Sequence, residues 1–432
     1  MKRTGIPSDA VPRRLAHGLD LLNFLLADVR DGLGPYLSIY LLLTHHWDQE
    51  SIGFVMAFGG IGAIVAQGPA GALVDRSTAK RAVIIGGALT VTAGSLAMPK
   101  ALTGIAGSVF APALVAITLG LVGSRRFSRR IGRNESFNHA GNACAAAITG
   151  GLAYASGPVV VFWVLATMAA GTVVATLWIP GDAIDHDVAR GMDRLPGESH
   201  QNPSRLTELL GNRRLMIFAV TVIAFHFANA AMLPLVGQRL ARHNRDVGTE
   251  RMAGCIVAAQ VVMVPVAYVA GAKADSWGRK PIFLAGFAVL AVRGFLYTCS
   301  DNSYWLVSVQ LLDGVGAGVF GALFPLVVQD VTHGSGRFNI SLGTITAATG
   351  TGAAVSNLVA GSIVVAAGYN AAFAFLGALA AAGFMLYLIA MPEPAATKSG
   401  AQIAAAGGGH GMDDSSWRGD VTNNTVWFRT RQ

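Results

Sequence analysis

A short basic hairpin occurs twice in this chain, and its spacing constrains the fold more than any other feature. The first copy reads Gly71-Ala72-Leu73-Val74-Asp75-Arg76-Ser77-Thr78-Ala79-Lys80-Arg81, and the second Gly271-Ala272-Lys273-Ala274-Asp275-Ser276-Trp277-Gly278-Arg279-Lys280-Pro281. Gly71, Asp75 and Lys80 each stand 200 residues before Gly271, Asp275 and Lys280, so the copies align without a gap. A period this long is too great for a solenoid and implies two homologous halves.

Each hairpin follows the second long apolar segment of its half. Segments able to cross a hydrocarbon core of about 30 Å fall at about 15–43, 51–74, 80–98, 101–123, 134–156 and 158–179. A polar stretch at about 180–213 follows, with Asp182, Asp185, Asp187, Arg190, Arg194, Pro196 and Pro203. Six more segments fall at about 214–238, 250–272, 280–299, 304–330, 338–366 and 369–391. The expected plan is therefore an N-terminal six-helix bundle (1–179), a cytoplasmic linker (180–213), a C-terminal six-helix bundle (214–392) and a disordered tail (393–432) rich in Ala, Gly, Ser and Asp. Only 13% of residues are charged and 53% are hydrophobic. Soluble domains carry about 25% charged residues, so this composition excludes an ordinary soluble domain and requires a polytopic membrane protein.

The formal charge of +8 does not point to nucleic acid, because most of the excess lies in short loops, where it sets orientation. The candidate cytoplasmic loops hold Arg76, Lys80 and Arg81; Arg125, Arg126, Arg129, Arg130 and Arg133; Lys273, Arg279 and Lys280; and Arg337. Most candidate outer loops (44–50, 157–158, 300–303, 367–369) hold no Lys or Arg, which places both termini inside. One loop, 239–249, runs against this rule with Arg239, Arg242 and Arg245. Cys144, Cys255 and Cys299 lie far apart in apolar segments, without C-x-x-C spacing, and read as small buried hydrophobes. Gly132-Arg133 and Gly336-Arg337, each placed before a span, are a further echo of duplication.

The hairpins resemble the loop motif of the major facilitator superfamily, G-x-x-x-D-R-x-G-R-[KR]. The second copy keeps Gly271, Asp275, Gly278, Arg279 and Lys280, with Ser276 in place of Arg; the first keeps Gly71, Asp75, Arg76, Lys80 and Arg81, with Thr78 in place of Gly. The resemblance implies an all-α membrane protein of twelve transmembrane helices in two pseudo-symmetric bundles. It also implies a secondary active transporter working by alternating access, whose hairpins latch one conformation. Physically, the Gly allows close helix approach. The Asp can sit at the N-terminus of a helix in the other half, and the basic residues hold the turn at an anionic membrane surface.

The first span is the most informative for chemistry. Ionised groups at mid-membrane cost about 2.5–3.5 kcal/mol each on insertion scales, yet this span carries Asp20, Asp28, Arg30 and Asp31. At about 100° per residue from Asp20, Asp31 falls near 20°, Asp28 near 80°, Asn23 near −60° and Arg30 near −80°, roughly opposite the aliphatic arc of Leu22, Leu25, Leu26 and Val29. Charges on one face point to an aqueous cavity. Asp28 and Asp31 are candidate proton or cation acceptors, or else partners in structural ion pairs. Arg30 is a counter-ion or anion anchor, and Asp20 is expected to be solvated near the cytoplasmic end. Gly32, Gly34 and Pro35 then interrupt the helix, as happens near transport sites.

In the fifth span, Asn138 and Asn142 share a face beside His139, in the stretch Arg133-Asn134-Glu135-Ser136-Phe137-Asn138-His139. His226 and Asn229 form a similar pair in the seventh. Both sets suit proton handling or interhelical hydrogen bonding. In the tenth span Gln310-Leu311-Leu312-Asp313-Gly314-Val315-Gly316 stands where the family pattern R-x-x-Q-G-x-G is expected, so Asp313 is a further candidate and the family's Arg is missing. Lys100 holds the equivalent place in the fourth span, either pairing with a first-span aspartate or snorkelling. Arg293, in the ninth span, is expected to be peripheral. Drug/proton antiporters of the superfamily carry G-x-x-x-G-P-x-x-G-G in the fifth span; here Ala146-Ala147-Ile148-Thr149-Gly150-Gly151 keeps the terminal glycines without the Gly-Pro.

A polytopic enzyme or a sensor on a transporter scaffold are the alternatives. An enzyme calls for a motif such as His-Glu-x-x-His, and ATP drive for G-x-x-x-x-G-K-[ST]; neither occurs. A sensor calls for a soluble signalling domain, for which linker and tail are too short. The expected partners are a small solute, H⁺ and the lipid bilayer, with no cofactor or metal, acting as a monomer in a bacterial inner membrane. Asp28→Asn and Asp31→Asn, tested singly, are expected to abolish proton-coupled transport in proteoliposomes at near-normal protein level. Full transport by both would remove first-span carboxylates from the mechanism.

Overall fold

Hydrocarbon cannot hydrogen-bond a backbone, so segments that cross it satisfy their own amides as helices. The computed structural model describes residues 12–31, 40–41, 46–97, 100–157, 159–192, 206–243 and 245–394, and every regular element among them is helical. In chain order they are α1 (Arg13–Asp31), α2 (Gln49–Arg76), α3 (Lys80–Ala97), α4 (Lys100–Gly107), α5 (Phe110–Val122), α6 (Ser124–Ser156) and α7 (Val160–Trp178). The linker holds α8 (His186–Ala189) and α9 (Leu206–Gly211). Then come α10 (Arg213–Ala230), α11 (Met232–His243), α12 (Arg245–Trp277), α13 (Arg279–Leu296), α14 (Ser303–Val331) and α15 (Phe338–Ala390). The expected apolar segments fall largely on these helices. Seven stretches among the described residues are long and apolar enough to cross a membrane alone. One of them, α15, has 53 residues, about 80 Å if straight. It is two helices joined by a kink at Gly368 (φ 85°), a positive value that a residue without Cβ adopts at little cost.

The halves repeat one packing scheme. In the first, α1 packs on α6 and α7, α2 on α4, and α3 on α5 and α7; in the second, α10 packs on α15, α12 on α14, and α13 on α14 and α15. A Cβ on Gly104 of α4 would lie 2.1 Å from the carbonyl oxygen of Gly59, and one on Gly314 of α14 would lie 2.6 Å from that of Ala259. Residues 59 and 259 are again 200 apart, so the same helix crossing is built twice. Between halves, α2 meets α15 and α6 meets α12. The hairpin glycines make both contacts possible. A Cβ on Gly71 would sit 2.1 Å from the Asn339 carbonyl oxygen, and one on Gly271 would sit 2.4 Å from the Cα of Gly132.

Several sequence expectations need correction. The supposed loop of Arg125 to Arg133 is helical, since α6 begins at Ser124; arginine is a good helix former, and Asp20 holds two of these guanidiniums, that of Arg130 buried and that of Arg133 partly exposed. Gly132-Arg133 therefore lies within a helix while Gly336-Arg337 precedes one, and the two pairs are not equivalent. The anomalous basic loop is also part helix. Arg239, on α11, is 7% exposed and donates to the Tyr297 carbonyl (2.7 Å) and Asn370 (2.9 Å), with an ion pair to Asp301. It is an internal clamp rather than a topology signal. Cys255 is buried, but Cys144 and Cys299 are exposed. Residues 193–205 of the linker, 32–39 (with Gly32, Gly34 and Pro35) and 395–432 of the tail lie outside the described residues.

Gly71→Ala and Gly271→Ala are each expected to destabilise the protein by about 1–3 kcal/mol through overpacking. Gly86→Ala, where a Cβ meets nothing within 4 Å, serves as the neutral control. Thermal unfolding of the purified protein checks all three, and equal midpoints would show that the crossings tolerate a methyl group.

Candidate functional site

The two hairpins share an ancestry but have different jobs. In the first, Asp75 is 6% exposed and accepts bonds from Asn339 N (3.2 Å), Asn339 Nδ2 (2.8 Å) and Ile340 N (2.9 Å). These donors form the first turn of α15, where unpaired N–H groups and the helix dipole favour an anion. Asn339 also donates to the Ala189 carbonyl at 2.9 Å. The linker is tied in further: Gly334 N–H donates to Gly191 (2.7 Å), Phe338 N–H to Arg190 (3.3 Å) and Asp185 N–H to Gly120 (3.1 Å). The linker thus touches α5 of one half and the turn before α15 of the other. Burial and the neighbouring Lys80 ammonium lower the His186 imidazole in this linker below its usual value.

In the second hairpin Asp275 is more than half exposed, accepting from Ser128 Oγ (2.8 Å) on α6 and Arg279 Nη1 (3.0 Å). Arg279, only 3% exposed, is ion-paired with Asp330 of α14 and donates to Ser128 Oγ at 3.0 Å. Glu393 caps α13 by accepting from Arg279 N (2.8 Å) and Lys280 N (3.1 Å), while Lys280 Nζ donates to Leu388 (2.7 Å). Gly278 alone separates α12 from α13 and takes φ 86°. Three residues separate α2 from α3, and no residue there has positive φ, so Thr78 fills the glycine position without strain. The basic residues do not all face a membrane surface. Arg76 is exposed, but Lys80 is 1% exposed with its ammonium on the Ser77 carbonyl (2.6 Å). Arg81 reaches the Leu177 carbonyl of α7 at 3.4 Å.

Asp20 is not solvated. It is 4% exposed and takes Arg130 Nη2 (2.7 Å), Arg133 Nε (2.9 Å) and Arg133 Nη2 (2.7 Å) from α6. Arg130 continues to Asn134 (2.7 Å), which donates to Thr118 of α5 (2.8 Å). Three helices of the first half are thereby joined through one carboxylate. Higher on α1, Leu22, Leu26 and Val29 are buried, Asp28 is half-buried and Arg30 is exposed. The side chains of Asp31 and Lys100 lie outside the described residues.

Farther along α6, polar groups meet the other half. Ser136 Oγ donates to the Val264 carbonyl (2.7 Å), and His139 Nδ1 is 2.9 Å from Gln260 Oε1, both on α12. Glu135, one helical turn before His139, is half-buried and turned toward α14, where a Cβ on Gly321 would lie 3.2 Å from its Oε2. Asn138 donates to that oxygen at 3.5 Å, a long bond, and Asn142 is half-buried one turn beyond.

The second half holds its own network, centred on Arg293. This residue is 1% exposed, not peripheral. Its guanidinium pairs with Asp313 of α14 and donates to Asn229 Oδ1 of α10 (2.8 Å). Gln310 donates to Asp313 (3.0 Å) and accepts from Tyr297 OH (2.5 Å). The arginine missing from the tenth-span pattern is thus supplied by the neighbouring helix. Asn229 and His226 part company: His226 packs edge-on against Phe320, 4.6 Å between ring centres. Sequence reading missed Arg293, Glu135, Gln260 and Asn339 as site members. The available signal was that each is a polar side chain within an apolar span, but the hydrogen-bonded partners of Arg293, Gln260 and Asn339 lie 20 to 264 residues away.

A family model described as the Major Facilitator Superfamily matches residues 19–340 and, in a second match, 243–408. Two proteins of Mycobacterium tuberculosis, from strains CDC 1551 and H37Rv, are each 73% identical over 395 residues, covering 89% of this chain and 94% of theirs. Both are described as uncharacterized MFS-type transporters. Among solved structures, the fold is similar to the human organic anion transporter MFSD10, with TM-score 0.64, 16% identity, and coverage of 89% of this chain and 100% of that one. It is also similar to the MFS transporter FucP in its outward conformation, with TM-score 0.65, 15% identity, and coverage of 87% and 98%.

Arg293→Met is expected to cost about 3–5 kcal/mol, because it strands the Asp313 carboxylate among helices. The double variant Arg293→Met/Asp313→Asn should regain most of that loss. Thermal unfolding of both decides it, and a double variant as unstable as the single would remove the charge pair as the cause.

Proposed function

The chain belongs to the major facilitator superfamily, and from that premise we propose that it is a secondary active transporter. In this reading twelve spans form two six-helix bundles that rock about a central site, moving a small solute by alternating access. The observation that carries the reading is Asp75, a carboxylate of the first bundle that accepts three bonds from the first helical turn of a second-bundle helix. Such a contact is a breakable polar latch: charge meets a helix dipole at the end of the molecule where the basic turns lie. The positive-inside rule puts that end in the cytoplasm. The structure is then a state closed toward the cytoplasm, with both hairpins and the linker segment 185–192 forming the gate.

Proton coupling through intramembrane carboxylates is part of the proposal. Asp28, half-buried on α1, stands as the first-span acceptor, and Asp31 beside it shares the role. The gate's chemistry supports a cycle in which loading deeper in the protein changes the balance between open and closed states. A contact energy of a few kcal/mol suffices to shift such a balance. A bacterial cytoplasmic membrane with both termini inside is part of the same proposal, on the charge of the short loops.

Asp75→Asn keeps the size of the side chain but removes the anion from the helix end, at a cost of about 1.5–3 kcal/mol to the closed state. Spin labels at Thr78→Cys and Ser276→Cys, one on each hairpin, are expected to report a longer distance population in Asp75→Asn than in the parent. An unchanged distance distribution would show that Asp75 does not hold the gate.

A further inference from the structure

Resting on the transport reading above, we infer that Glu135 and His139 recognise an ammonium-bearing solute at the junction of α6, α12 and α14. Glu135 differs from the other deep carboxylates whose partners are described. Asp20 holds two guanidiniums, Asp313 holds that of Arg293, Asp330 holds that of Arg279, and Asp75 holds a helix N-terminus. Among the described residues Glu135 has only the Asn138 amide, at 3.5 Å. Helix α14 makes room for the carboxylate, because Gly321 presents no side chain where a Cβ would sit 3.2 Å from Oε2.

His139 lies four residues on, over the same face of α6. Its Nδ1 is 2.9 Å from Gln260 Oε1. An amide oxygen only accepts, so in the neutral imidazole Nδ1 carries the proton and Nε2 is left with a lone pair. That Nε2 is buried and has no partner among the described residues. The site therefore offers two unfilled acceptors, one of them anionic. An anion is repelled there, and a neutral solute leaves the carboxylate uncompensated. A protonated amine supplies both the charge and the N–H donors. The His139–Gln260 bond joins the two halves, which places the ligand where their separation is felt.

Equilibrium binding of benzylammonium to the purified full-length protein, by calorimetry without any gradient, tests this. The wild type is expected to bind it. Benzyl alcohol, without charge, and benzyltrimethylammonium, without N–H donors, should bind about tenfold more weakly or worse. Glu135→Gln should weaken benzylammonium by a similar factor with an unchanged unfolding midpoint. Gly321→Ala, which crowds the carboxylate but keeps its charge, should also weaken it. Equal binding by Glu135→Gln and wild type, equal affinity for the alcohol, or no binding up to millimolar benzylammonium would each overturn the assignment. The last two results leave the Asp75 gate untouched. A gate that fails its distance measurement leaves a positive binding result standing.

Discussion

An ion held among helices in a bilayer has no water to fall back on, and the arrangement of this protein follows from that constraint. Asp20 draws two arginines of α6 onto α1, and Arg293 draws Asp313 and Asn229 from two other helices. Helices in lipid gain little from hydrophobic burial against each other, because lipid tails are as apolar as leucine. Close backbone contact and shared polar groups do the work instead. The glycine crossings at Gly71, Gly104, Gly271 and Gly314 provide the first, and these charge clusters the second.

Duplication supplied two copies of one scaffold, and divergence assigned them separate chemistry. Asp75 is buried against a helix end of the opposite half, whereas Asp275 faces largely outward and shares Ser128 with Arg279. The deep charge clusters are equally unmatched. The first half places its triad near the basic end of α1, and the second places its pair where α13 and α14 cross.

The second hairpin's contact to Ser128 and the deeper polar groups lie along the same two helices. From Ser128 to His139, α6 faces α12 through Gly132, Ser136 and finally the His139–Gln260 bond. The linker adds a third element, because Asn339 bonds Asp75 and the Ala189 carbonyl together. Any movement of α2 relative to α15 would therefore disturb the linker segment as well.

Much of this was legible along the chain. The positions of the apolar segments, the 200-residue repeat and the hairpin glycines and aspartates were enough for the fold class, because span length and helix crossing depend on local residue types. Linear order also placed the hairpin Asp near a helix end of the other half. What it could not supply was the rotation of each helix and the identity of its neighbours. Asp20 looked solvated because its countercharges lie 110 and 113 residues away, and Arg293 looked peripheral because its partner sits on the next helix. Glu135 went unnoticed for the opposite reason: its distinction is the lack of a cation, and a missing neighbour becomes visible only once the surrounding helices are in place. Local residue types along the chain marked the apolar helical segments, while long-range packing alone decided which of the described charges pair with one another.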